Sequence, residues 1–123
     1  MKRLIPPDDC PEEIARRLEA IEQHSALNAI LGVNPDAMTL AEAYQKQRRR
    51  GERIGPLYGV PLIIKDNIAC APMPVTLGCR ALGSLQATSD ARVVQRLRGA
   101  GAIILARANM SEFAFDVRSR SSL

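Results

Sequence analysis

Val60-Pro61-Leu62-Ile63-Ile64-Lys65-Asp66-Asn67 decides the fold, together with a second run further on, Ala102-Ile103-Ile104-Leu105-Ala106. Neither run shows the polar alternation of a half-exposed strand. Short continuous apolar runs of this kind suit strands covered on both faces, as in parallel sheets. Residues 89–100 lie between them and read as a helix. Ser89 is placed to cap it, Asp90 to face its dipole, and Val93, Val94, Leu97 and Ala100 to form its apolar side, with Gly101 ending it. Strand, long connection, helix, strand is a parallel crossover unit, expected to be right-handed. Residues 68–87, rich in Pro and Gly, form the loop into its helix.

Two helices are expected ahead of this unit. Residues 11–24 begin with Pro11, Glu12 and Glu13, which suit a helix start, and carry Ile14, Leu18 and Ile21 at helical spacing. Residues 27–33 look extended or irregular. A second helix is expected from Asn34 as N-cap and Pro35 as first residue. Met38, Ala41 and Tyr44 form its apolar stripe, and Lys46, Arg48, Arg49 and Arg50 precede Gly51. These basic residues read as a solvated helix end rather than a nucleic-acid patch, since no aromatics are interleaved. The fold class is α/β, in a single partial domain: a helical region over 11–53, the lysine segment and crossover over 54–113, and a divergent tail over 114–123. Two parallel strands alone leave open edges, so the chain reads like part of a larger sheet.

Composition narrows the function classes. The 123 residues suffice for one small domain, with 46% hydrophobic and 24% charged residues and a net charge of +4. That charge does not argue for nucleic acid. Cys10, Cys70 and Cys79 make an odd count without a CxxC pair, against both a disulfide framework and a zinc site. His24 is the sole histidine, expected to face solvent, so a Ser-His relay or a histidine metal cluster is not available. No signal peptide or membrane span is apparent. The expectation is a cytoplasmic protein without cofactor, metal, nucleic acid or membrane partner.

Lys65 is the candidate catalytic residue. A lysine at the end of a buried strand is expected to be desolvated, and desolvation favours the neutral amine, which is a base. A free lysine titrates at about 10.4, so general-base work near pH 7 requires about 4.6 kcal/mol of differential stabilisation, within reach of burial. The alternative is a lysine that reaches solvent or pairs with Asp66.

Ile54-Gly-Pro-Leu-Tyr-Gly-Val-Pro-Leu-Ile-Ile-Lys-Asp-Asn67 resembles the lysine segment of the amidase signature family. So does Asp90-Ala-Arg-Val-Val-Gln-Arg-Leu-Arg-Gly-Ala-Gly-Ala-Ile-Ile-Leu105, followed by Asn109-Met-Ser-Glu-Phe113. Leu27-Asn28-Ala29 and the helix after it add to the likeness, which runs from about residue 11 to 115. The resemblance implies a large mixed sheet flanked by helices. It implies an amide hydrolase, or the amidase-type subunit of a tRNA-dependent amidotransferase, acting on a small-molecule amide. It also implies a catalytic set of one lysine, matching Lys65, and two serines, one of them after a cis peptide bond.

The departures from the family pattern are specific. Ala69, Cys70, Pro72 and Val75 replace the Asp, first Thr, Gly and second-to-last Thr of an Asp-Thr-Ala-Gly-Met-Pro-Thr-Thr pattern. Ala106-Arg107-Ala108 stands where Gly-Lys-Thr is common. The family's Gly/Ser-rich loop with both serines is not within residues 1–123, and the glycine-free tail makes Ser121-Ser122 a frayed polar terminus by expectation. The expectation is an N-terminal amidase fragment without activity of its own. The alternatives are a binding module that completes its sheet with a separate C-terminal amidase or amidotransferase chain, and an independent small protein that keeps the fold without the chemistry.

Overall fold

A computed structural model describes residues 7–52, 55–115 and 121–123. Helix α1 (Cys10–Gln23) starts where Asp9 accepts a hydrogen bond from the Glu12 N–H, and helix α2 (Ala37–Arg49) packs beside it. Strand β1 (Ile30–Val33) lies between these helices in sequence. Strand β2 (Pro61–Lys65), helix α3 (Arg92–Gly99) and strand β3 (Ile103–Ala108) follow. The sheet order is β1-β3-β2, with β2 parallel and β1 antiparallel to β3. The expected parallel crossover is therefore present. The third strand, where residues 27–33 had looked extended or irregular, pairs with the other edge of β3.

Two clusters form the core, one on each face of β3. Cys10, Ile14, Ala37 and Ala41 from the helix pair meet Ile103, Leu105 and Ala106. On the opposite face Val94 of α3 meets Ile64, Cys70, Met73 and Ile104. Central β3 is thus buried throughout its first five residues, as expected of a strand covered on both faces. Strand β2 is not. Its Leu62 and Ile64 pack under α3, but Ile63 is 48% exposed because α1 and α2 lie over β3 and stop short of β2.

A register shift in β3 sets the direction in which Arg107 faces. Leu62 pairs with Ile104 while Ile63 pairs with Ala106, so Leu105 is an extra residue in the ladder. One extra residue reverses the alternation of everything beyond it. Leu105 and Ala106 both join the helix-pair cluster, and Arg107 turns to the α3 side.

Three helix details depart from expectation. α2 begins at Ala37, with Asp36 in the cap position, because Asn34 is used otherwise. Asn34 is buried, its Nδ2 donates to the Ile104 carbonyl at 2.8 Å, and its Oδ1 accepts from the Asp36 N–H. α3 begins at Arg92, and neither Ser89 nor Asp90 caps it. The Asp90 carboxylate instead accepts from the Ala71 N–H at 2.8 Å, and its other oxygen stands 3.0 Å from Arg98 Nε without hydrogen-bond alignment, an ionic contact. Val93, placed on the apolar side of α3 by spacing, is half exposed, and Val94 is the residue buried.

Candidate functional site at the carboxyl ends of the strands

In open α/β sheets ligands bind beyond the carboxyl ends of the parallel strands. Here that edge is made by Lys65 of β2 and its register partner Ala108 of β3, with the turns that follow each strand. Lys65 is exposed. This corrects the expectation of a desolvated lysine: the face of β2 that carries Ile63 and Lys65 has no covering layer among the described residues. Nor does Lys65 pair with Asp66, since no ion pair involving Lys65 exists among those residues.

Asp66 points the other way and is 1% exposed. Its Oδ1 accepts from Arg107 Nη2 at 2.8 Å and Nε at 3.2 Å, and its Oδ2 accepts from the Gly78 N–H at 3.1 Å and from the Thr76 hydroxyl. The Thr76 N–H lies 3.2 Å from both oxygens. Arg107, 2% exposed, spends its remaining Nη1 on the Ile68 carbonyl at 2.8 Å. Burial raises the Asp66 carboxyl, but the bonds from Thr76, Gly78 and Arg107 outweigh it and hold the carboxyl below the ordinary aspartate range. The cluster ties the end of β2, the 76–78 turn and β3 into one unit directly beside Lys65.

Gly78 fits this turn because its φ is +71°, and a side chain there would run into the Met110 carbonyl oxygen. Leu77 and Phe113 also have left-handed backbones, and the Phe113 N–H donates to the Leu77 carbonyl at 2.9 Å. A cavity of about 260 Å³ opens at the cluster, lined by Leu31, Val33, Met73 and Thr76 above the Asp66–Arg107 pair. A shallower groove of about 500 Å³ runs along Val60, Pro61 and Ile63 towards Glu13 and Arg17 of α1.

Ser121 and Ser122, expected to fray, are held at the same turn. Ser121 Oγ donates to the Gly78 carbonyl at 3.0 Å, and Ser122 Oγ accepts from the Arg80 N–H at 2.9 Å. His24 is exposed, as expected. Pro72 follows a cis peptide bond in the loop where the family pattern has Gly. Among the described residues no group of three or more His, Cys, Asp or Glu could hold a metal, and no described helix is long and apolar enough to cross a membrane.

Asp66, Thr76 and Arg107 were not singled out as a cluster by sequence reasoning, although a signal was available. An arginine inside an otherwise apolar strand requires a buried counterion. In parallel register with β2, the carboxylate that follows Lys65 is at hand to supply it.

The sequence model of the Amidase family matches residues 12–123 of the chain. A glutamyl-tRNA(Gln) amidotransferase subunit from Acidothermus cellulolyticus is 40% identical over 116 residues, which cover 90% of this chain and 23% of that protein. The acylamidase of Rhodococcus erythropolis is 35% identical over 112 residues, with the same two shares, 90% and 23%. The X-ray structure of native peptide amidase from Stenotrophomonas maltophilia aligns with a TM-score of 0.73 at 39% identity, across 85% of this chain and 21% of that one. The chain thus spans under a quarter of the length of each of these three proteins.

Proposed function

The chain belongs to the amidase family, and on that premise we propose that it supplies the lysine-bearing part of an amide hydrolase, with Lys65 as the base. The observation that carries this is the position of Lys65: last in β2, at the carboxyl edge of a parallel strand pair, in the segment that resembles the family's lysine motif. The neutral Lys65 amine takes a proton from a relay serine, which takes one from a nucleophilic serine. The nucleophile attacks the amide carbonyl carbon, the proton held by Lys65 passes back through the relay serine to the leaving nitrogen, the amine departs, and water, deprotonated by the same relay, hydrolyses the acyl-enzyme. Lys65 is exposed in these residues. The segment bearing the serines therefore also covers the open face of β2 and dries the amine. Residues 1–123 by themselves do not hydrolyse amides.

The test is turnover of a simple aryl amide by the purified chain, alone and joined to the Gly/Ser-rich remainder of a related amidase. Hydrolysis only in the joined protein supports the proposal. Hydrolysis by residues 1–123 alone, dependent on Lys65, overturns it.

A second reading is favoured by the place of β2 at the edge of the sheet, with Ile63 exposed on its open face: a module that completes its sheet with a separate C-terminal amidase or amidotransferase chain. Stable co-purification with such a chain, lost on Ile63→Glu, would support it. A monomeric chain that ignores an added C-terminal part would count against it.

A further inference from the structure

Lys65 and Asp66 are consecutive, yet the fold separates their charges. A carboxylate next to a lysine is its nearest available counterion, and such a pair holds the amine as ammonium. Here the carboxylate is turned inward and its charge is met by Arg107, through Nη2 at 2.8 Å and Nε at 3.2 Å. Thr76 and Gly78 occupy the other oxygen. Arg107 is aimed at this carboxylate because the extra residue at Leu105 puts it on the α3 side of β3, and its bond to the Ile68 carbonyl fixes the guanidinium there.

We propose that Arg107 is a positioning residue for Lys65. By meeting the Asp66 charge inside the fold, it keeps the adjoining carboxylate from acting on Lys65. This rests on the assignment of Lys65 as the base, but its test needs no turnover.

The two halves of the pair act on Lys65 with opposite sign. Without the Arg107 charge, Asp66 is an unbalanced anion beside Lys65 and favours the ammonium. Without the Asp66 charge, Arg107 is an unbalanced cation and favours the free amine. A purely architectural role would move Lys65 in the same direction in both variants, because either change loosens the same cluster.

The experiment is trace acetylation of the purified chain with acetic anhydride at one mildly alkaline pH. Peptide mass spectrometry gives the rate at Lys65 relative to Lys46, an exposed lysine on α2. Arg107→Gln is expected to slow Lys65 by about threefold or more, and Asp66→Asn to speed it by a similar factor. The double variant returns towards the parent rate, and Arg107→Lys keeps it. Thermal melts report whether each variant folds. If Arg107→Gln does not, Asp66→Asn decides alone, and an unchanged or slower Lys65 overturns the proposal. Two folded variants that shift Lys65 the same way, or not at all, overturn it too. Failure of the base assignment shows elsewhere, as full turnover in a Lys65→Ala enzyme.

Discussion

Asp66 of the β2 end and Arg107 of β3 form a buried ion pair, 2.8 Å from Oδ1 to Nη2, that fastens the 76–78 turn to the sheet. A pair this deeply buried contributes little net stability over an apolar pair, yet removing one partner leaves an unbalanced charge. Arg107→Met is therefore expected to cost about 3–5 kcal/mol in denaturant unfolding. The double variant Asp66→Asn, Arg107→Met should cost less than the sum of the two single changes. Additive losses would mean that the residues act separately.

The same carboxylate sets an acid limit. Its folded value lies below the unfolded one, so its stabilisation is complete above the unfolded aspartate value of about 3.9. It is lost as pH falls through the folded value. The melting-temperature gap between the parent chain and Asp66→Asn should be constant near neutrality and shrink below about pH 4. A gap that persists undiminished into strong acid would show that the charge on Asp66 is not what stabilises the turn.

Gly78→Ala should destabilise by more than about 1 kcal/mol, since the backbone is left-handed and the added methyl meets the Met110 carbonyl. Gly32→Ala is the control, because no atom lies within 4 Å of its would-be Cβ and its φ is not in the left-handed region. Equal melting temperatures for the two variants would contradict the close approach at Gly78.

Ile63→Ser should change the stability of the chain alone by no more than about 0.5 kcal/mol, as for an exposed site. In a protein whose β2 face is covered, the same change should cost about 2 kcal/mol or more. Identical losses in both settings would mean that nothing packs on Ile63.

The crossover was legible because its signals are strong and local: two continuous apolar runs and a helix stop at Gly101. The α1 stripe of Ile14, Leu18 and Ile21 was equally direct. Strand β1 was not, because Ile30–Val33 is short, half-exposed and interrupted by a bulge at Leu31, and its pairing with β3 is long-range. Helix starts slipped where cap-type residues serve tertiary contacts. Asn34 holds β3 and Asp90 holds the Ala71 loop, and neither use is encoded in neighbouring residues. The position of Lys65 was readable from its motif, but its exposure was not. Burial of β2 was inferred from hydrophobicity, while coverage depends on how far the helix pair extends. The direction in which Arg107 faces was hidden because it depends on the parity of β3, which one extra residue reverses.

The central claim is that Lys65 is the base of an amide hydrolase. It is tested most directly by joining residues 1–123 to the remainder of a related amidase and comparing kcat for an aryl amide with and without Lys65→Ala. The account predicts a loss of about 10²-fold or more, the contribution of a general base, with substrate KM little changed and the melting temperature preserved. A Lys65→Ala enzyme that folds and turns over at the parent rate would contradict it.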